Sequence, residues 1–493
     1  MSAVVSRDSQ RHSRGAWSVA RVRAAEDVAL ARTTEGALMQ RAAFGLATHT
    51  ARMLGERTGG VAGRRVGLLV GAGNNGGDAL WAGAYLRRRG VAVTAVLLVP
   101  DRAHPAGLAA LRRAGGRTAA ALPDVDLVLD GIVGLSGRGP LRPDAARHVD
   151  ALRAPVIAVD SPSGVDPDTG TVDGPAVTAA VTVTFGARKP VHVLNPGRCG
   201  DVHVVDLGLH LGEPDLRVLT AAEVGACWPV PDAGSDKYSQ GVVGVAAGSA
   251  DYPGAAVLAT GGAVLATSGL VRFAGTAADV VRARWPEVVA TGSVADAGRV
   301  QAWVVGPGIG TGSAGRALLE HVLGEGVPVC ADADAITLLS QHPGIADARD
   351  PGTPLVLTPH DREFERLTGA APGPDRAAAA RDAAARFGAV VLLKGNTTLV
   401  AAPDGRVFAN PARSAWAATA GSGDVLTGVV GALLASGLEP AAAAATAVHA
   451  HELAADLAAR AGTATGAPAP SSVLQGALPD AIRAMRAVRG WRG

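Results

Sequence analysis

The sequence predicts an α/β protein of two consecutive domains, the first of them a Rossmann-like doubly wound parallel sheet. Short apolar runs end again and again on polar turns. Two glycine-rich turns of different design, residues 71–78 and 420–424, each end on an aspartate. The chain has 493 residues, about twice what one hydrophobic core of roughly 100–200 residues serves. A glycine turn at a helix start leaves backbone N–H groups unpaired at the positive end of the helix dipole, so each turn is a ready phosphate site. Two active sites in one chain are expected.

Residues 1–18 carry Arg7, Arg11 and Arg14 among serines and no continuous apolar stretch, so they read as a loose extension rather than a signal peptide. The first domain is expected over residues 19–220. Residues 66–70 form an apolar strand before the first glycine turn, 78–89 a helix, 91–99 a second strand, and 127–129 and 156–159 repeat the form. Ligands gather at the carboxyl ends of such strands. Those ends carry Asn74, Asn75, Gly76, Gly77 and Asp78; Asp130 followed by residues 131–139; and Asp160, Ser161, Pro162, Ser163 and Gly164. Each loop alone reads equally well as a satisfied turn; three in succession point to one functional rim. Oxygens of Asn75, Asp130 and Ser163 suit a hard monovalent or divalent cation, and Asp160 an acid or base. The turn is not the dinucleotide fingerprint, because no acidic residue follows at a strand end about twenty positions on.

The second domain is expected over residues 221–493, after a break in periodicity between Leu211 and Gly241. Strands at 242–247, 302–305, 327–331, 355–357 and 390–393 each run into a polar turn. The apolar run 255–271 is interrupted by Gly261, Gly262 and Gly269 and reads as a buried helix, not a membrane span. At the last turn, Gly421 and Gly423 open an anion hole at the start of the apolar helix 425–434. Asp424 there either caps the helix or takes a proton from an attacking hydroxyl, and the flanking glycines favour phosphoryl transfer. Asp332 and Asp334 read as helix caps, and His360 reads equally as a functional or an ordinary turn histidine.

A net charge of +2 with 18% charged residues gives no electrostatic reason for nucleic acid or a membrane surface, so small-molecule partners are expected. Cys199, Cys227 and Cys330 are odd in number and lack metal-ligand spacing, which fits a reducing cytoplasm. Of the 46 basic side chains only Lys189, Lys237 and Lys394 are lysines. Each lies beside a glycine or proline turn, where a compact point charge serves a phosphate in a way arginine's planar fork does not.

At these motifs the second half resembles the ADP-dependent NAD(P)H-hydrate dehydratases, of ribokinase-like fold. The resemblance is carried by Gly306-Pro307-Gly308, Asp332 to Ala335, Thr358-Pro359-His360 with Glu363-Phe364, Lys394-Gly395 and Gly421-Ser422-Gly423-Asp424. The first half resembles the NAD(P)H-hydrate epimerases through Arg23 to Glu26, Leu38-Met39, Asn74 to Asp78, Asp160 to Gly164 and Phe185 to Pro190. Together they cover nearly the whole chain, and the pair is similar to the bifunctional nicotinamide-nucleotide repair enzymes of bacteria.

The resemblance implies that the first domain interconverts the R and S forms of NADHX and NADPHX, which carry water at position 6 of the nicotinamide ring. The second would dehydrate the S form by phosphorylating the hydroxyl from ADP, with magnesium, and eliminating phosphate. Carried over by match, Asp160 and Asp424 are catalytic. Substrate contacts in the epimerase fall on Asn74, Asn75, Gly76, Gly77, Asp78, Gly134, Leu135, Ser136, Gly137, Arg138, Gly139, Pro140 and Asp160. A potassium ion falls on Asn75, Asp130 and Ser163. In the dehydratase the hydrate falls on Ala255, Gly308, His360 and Asp424, and the nucleotide on Lys394, Gly395, Asn396, Thr397, Thr398 and Gly423. A homo-oligomer is expected. Departures are small: Ala79 and Ser422 stand where the family favours glycine and threonine, and residues 236–241 differ enough that Lys237 receives no role.

Overall fold

The computed structural model describes residues 15–267 and 269–488. The chain divides into two compact units between Arg217 and Val218; the sequence places the boundary after residue 220.

The strands of the first unit are β1 (Gly15–Ala16), β2 (Arg65–Val70), β3 (Ala92–Leu97), β4 (Arg117–Thr118), β5 (Leu127–Gly131), β6 (Val156–Val159), β7 (Val181–Phe185), β8 (Asp201–Val205) and β9 (Leu216–Arg217). Seven form a wholly parallel sheet in the order β4-β3-β2-β5-β6-β7-β8. The strands are buried on both faces, as a parallel sheet covered by crossover helices requires. Leu68, Leu129 and Ile157 meet Leu46, Leu54, Leu80 and Leu86 of the helices Ala37–Thr58 and Asn74–Arg88 on one face. Leu69, Val96 and Val128 pack with Leu141 and Ala145 on the other. The chain winds outward from β2 to β4 and returns to β5, so the switch point lies between the ends of β2 and β5. There Gly71 is obligatory, because a Cβ on it would stand 1.9 Å from the Ile132 carbonyl oxygen.

Of the extension expected over residues 1–18, residues 1–14 lie outside the described residues. The remainder is not loose. β1 pairs antiparallel with β9, the Trp17 indole donates to the Gly212 carbonyl at 3.1 Å, and the Ser18 amide donates to Asp215 at 2.8 Å.

The second unit holds β10 (Val242–Ala246), β11 (Leu270–Ala274), β12 (Val289–Thr291), β13 (Ala302–Val305), β14 (Val329–Ala331), β15 (Leu355–Leu357), β16 (Val390–Leu393), β17 (Thr397–Ala401) and β18 (Val407–Pro411). They are ordered β18-β17-β16-β15-β14-β13-β10-β11-β12. The strands from β12 to β16 are parallel, and β17 and β18 follow β16 as an antiparallel hairpin. The switch point falls between β10 and β13. Helices cover both faces here too, built around Val304, Val425 and Val429 on one side and Trp303, Leu319 and Ile336 on the other.

The expected helix over 255–271 is two elements. A helix spans Pro253–Ala266, and Val271 lies in β11. Thr267 is extended, and Leu270 donates to the Gly241 carbonyl at 3.0 Å to start the strand. An apolar run does not by itself separate a buried helix from a buried strand. Among the described residues no helix is long and apolar enough to cross a membrane.

Candidate active sites

In the first unit the helix expected from residue 78 begins at Asn74, so residues 74–78 are its opening turn rather than a loop. Gly73 precedes it with φ 88° and no side chain caps it, leaving the dipole's positive end open to an anion. Asn74, Asn75 and Asp78 of this turn, residues 134–140 after β5, and Asp160 after β6 all line one cavity of about 1240 Å³, whereas Gly76 and Gly77 do not and pack instead against the Gly71 carbonyl and the His104 ring.

Asp130 is fully buried. It accepts from the Ser163 hydroxyl at 2.7 Å, the Ser163 amide at 2.9 Å and the Ile132 amide at 3.2 Å. Burial pushes its carboxyl up to about 6 against the pull of the Ser163 and Ile132 hydrogen bonds. No basic side chain pairs with it among the described residues. Close by, Asn75 has a buried Nδ2 with no partner, and a Cβ on Gly134 would come within 2.9 Å of its Oδ1. Two observations therefore fit a cation: a buried carboxylate without a countercharge, and an amide whose buried Nδ2 meets no acceptor, so that turning it over would present an oxygen there instead.

Asp160 is one of the few non-glycine residues with positive φ, at 67°, a strain of the kind that accumulates at functional sites. Its Oδ1 accepts from the Lys189 ammonium, the Thr184 hydroxyl at 2.8 Å and the Phe185 amide at 3.2 Å. Burial pushes Asp160 up, but the Lys189 charge and these bonds outweigh it and hold the carboxyl below its ordinary range. Lys189 is itself fully buried. His192 accepts the Lys189 amide at Nδ1, 2.9 Å, which leaves Nε2–H to donate to the Asp160 carbonyl at 2.8 Å. Burial lowers this histidine to about 3, so it is neutral. Its scarcity among the basic residues singled Lys189 out in the sequence; its partner was not legible there. Arg138 is turned to Asp166 and Asp168, at 3.3 and 3.0 Å.

In the second unit the helix Ser422–Ala435 starts from Gly421 with φ 80° and no side-chain cap. Its opening turn is fixed from behind. His451 donates to the Ser422 carbonyl at 2.9 Å, and Ser471 to the Ala420 carbonyl at 2.6 Å. Asp424 therefore does not cap the helix. Burial, then the charge of Asp332, push it up to about 7, with Lys394 opposing. Asp332 and Asp334 do not cap either, since the N-cap position of the helix Asp334–Gln341 is Ala333. Asp332 is buried at the end of β14, where it accepts from the Lys394 ammonium at 2.8 Å and the Thr427 hydroxyl at 2.9 Å. Glu363 lies 3.6 Å from the same ammonium. A Cβ on Gly423 would lie 3.6 Å from both the Asp332 carboxylate and Lys394. Lys394, Gly423, Asp424, Asp332 and Glu363 are thus one cluster, of which only the first three are legible as site residues in the sequence.

His360 sits at the edge of this cluster. It accepts the Arg362 and Glu363 amides at Nδ1, while Glu363 accepts its amide at 2.9 Å, making it the cap of the helix Asp361–Thr368. Gly308, with φ 66°, approaches Ala255 closely enough that a Cβ would stand 3.1 Å from the alanine methyl. Gly395 and Asn396 are exposed in the β16–β17 turn, whereas Thr397 and Thr398 are buried in β17. Lys237 is exposed over the Tyr238 ring.

Residues 35–191 match the family model of the YjeF-related protein N-terminus, and residues 243–474 that of NAD(P)H-hydrate dehydratase. A bifunctional NAD(P)H-hydrate repair enzyme of Mycobacterium tuberculosis is 57% identical over 433 residues, 87% of this chain and 91% of its own. That of Mycobacterium leprae is 55% identical over 447 residues, 90% and 94% of the two chains. A crystal structure of an ADP/ATP-dependent NAD(P)H-hydrate dehydratase from Bacillus subtilis is 30% identical with a TM-score of 0.48, covering 54% of this chain and 97% of that one. By the identity and span of its relatives, this chain belongs to the family of bifunctional NAD(P)H-hydrate repair enzymes.

Proposed function

We infer that the first unit epimerises R- and S-NAD(P)HX and that the second dehydrates the S form with ADP. The observation that carries the dehydratase assignment is Asp424: a carboxyl with its affinity for protons raised to about 7, at the open N-terminus of its own helix. A base of that strength takes the hydroxyl proton near neutral pH, and the uncapped amides beside it face a transferring phosphoryl group. Hydroxide is a poor leaving group and phosphate a good one, so phosphorylation followed by elimination returns the dihydropyridine ring. Magnesium bound with ADP would neutralise phosphate charge, and Glu363 and Asp424 supply hard oxygen donors at this rim.

In the first unit Asp160 is the base. Residues 74–78 and 134–140 hold the substrate, and potassium on Asn75, Asp130 and Ser163 would supply the countercharge that Asp130 lacks. The unbridged cysteines support a cytoplasmic setting.

ADP is expected to outperform ATP in turnover of the S hydrate; faster turnover with ATP would overturn the nucleotide assignment. Lys394 serves two ends, the nucleotide phosphates and the buried Asp332. Lys394→Ala is therefore expected to weaken ADP by roughly 1–3 kcal/mol and to destabilise the second unit by about 3–5 kcal/mol, the scale for stranding a buried charge. Calorimetry and denaturant titration separate the two. Unchanged ADP affinity would remove Lys394 from the nucleotide site.

A further inference from the structure

Five carboxyl groups line the first unit's cavity: Glu26 on the helix Val19–Leu30, Asp78 on the helix Asn74–Arg88, Asp160 after β6, and Glu35 and Asp144. Lys189 is bound to Asp160. Glu26 and Asp78 have no basic side chain within ion-pair distance among the described residues. Asp78 is buried at 8% exposure. Burial, then Asp160 and Glu26, push it well above the ordinary carboxyl range, with Lys189 opposing. Glu26 is also raised, first by burial; Lys189 and Arg23 draw it down, and Asp160 and Asp27 push it up. Three carboxyls, Glu26, Asp78 and Asp160, facing one ammonium leave excess negative charge on this part of the wall, which strengthens the hold of Glu26 and Asp78 on a proton.

We propose that Glu26 and Asp78 form the acid pair of the epimerase, with Glu26 a catalytic residue alongside Asp160; this rests on the epimerase reading of the cavity. The hydrate is a carbinolamine, in which the C6 hydroxyl and ring nitrogen N1 share a carbon. The acid pair gives a proton to the hydroxyl oxygen. The C6–O bond breaks, its electron pair leaving on water, and the N1 lone pair closes a C6–N1 double bond. Water then adds to the other face of C6, N1 takes its electron pair back, and the proton shed by the water passes to Asp160. Transfer of that proton from Asp160 to the acid pair resets the cluster. Water is the co-reactant, and no oxidation state changes.

The test is epimerisation of R-NADHX in ¹⁸O-labelled water by the full chain and by Glu26→Gln, Glu26→Asp and Asp160→Asn. The parent is expected to place ¹⁸O in the hydrate as it epimerises. Glu26→Gln should lose at least about 10²-fold in kcat with KM within a few-fold, and Glu26→Asp should recover much of the loss. Since the acid must carry its proton, kcat of the parent falls as pH rises, and Glu26→Gln should shift that limb. Thermal unfolding checks that the first unit remains folded. Parental kcat in Glu26→Gln, or epimerisation without ¹⁸O uptake, would overturn the proposal. An active Asp160→Asn beside an inactive Glu26→Gln would sink the Asp160 assignment and leave the acid pair standing.

Discussion

Asp424→Asn should dehydrate S-NADHX at least about 10²-fold more slowly than the parent while binding ADP as before. The amide keeps the shape of the side chain and cannot accept the hydroxyl proton. In the parent, kcat should rise as pH climbs through about 7, where burial and Asp332 have moved this carboxyl; the variant should lack that limb. Stability carries the opposite sign. A carboxyl raised in the folded chain binds protons more tightly there than in the unfolded chain, so its contribution is most favourable below the ordinary carboxylate range and is lost as pH rises toward about 7. Asp424→Asn should therefore melt higher than the parent at pH 8 relative to pH 4, an instance of a site that trades stability for activity. Turnover within a few-fold of the parent would remove Asp424 as the base, and identical melting differences at both pH values would contradict its raised affinity for protons.

Asp160→Asn is the second large effect: epimerisation should fall by at least about 10²-fold while dehydration of the S hydrate continues, so that the R hydrate accumulates. Asparagine is the substitution of choice because it tolerates the positive φ of 67° at this position, which alanine tolerates less well. The change leaves Lys189 without its anionic partner, so circular dichroism must show the first unit folded before the rate is read. Loss of both activities in a folded variant would argue against independent sites.

The strands and the rim were legible because each parallel strand is a compact apolar run ending in turn residues. Asp130, Ser163 and Asn75 come together as their positions at adjacent strand ends imply, with Ser163 bonded to Asp130 across 33 residues. Pairings made by side-chain direction were not legible. Nothing local in the sequence sets Lys394 on Asp332, 62 residues away, or turns Lys189 onto Asp160. Glu26 has no role legible in the sequence, because its meaning depends on Asp78 and Asp160, which belong to other elements. The split of residues 255–271 into helix and strand was hidden by uniform apolarity, and the helix start at Asn74 by glycines that ordinarily signal a turn.

The most direct measurement supplies the pure chain with a mixture of R- and S-NADHX and ADP and follows the return of NADH absorbance. The expected result is conversion of the whole mixture by the parent, conversion of only the S share beyond the spontaneous rate by Asp160→Asn, and none by Asp424→Asn. Absence of NADH with ADP present, or full conversion by Asp160→Asn at the parental rate, would contradict the assignment of two activities to these two sites.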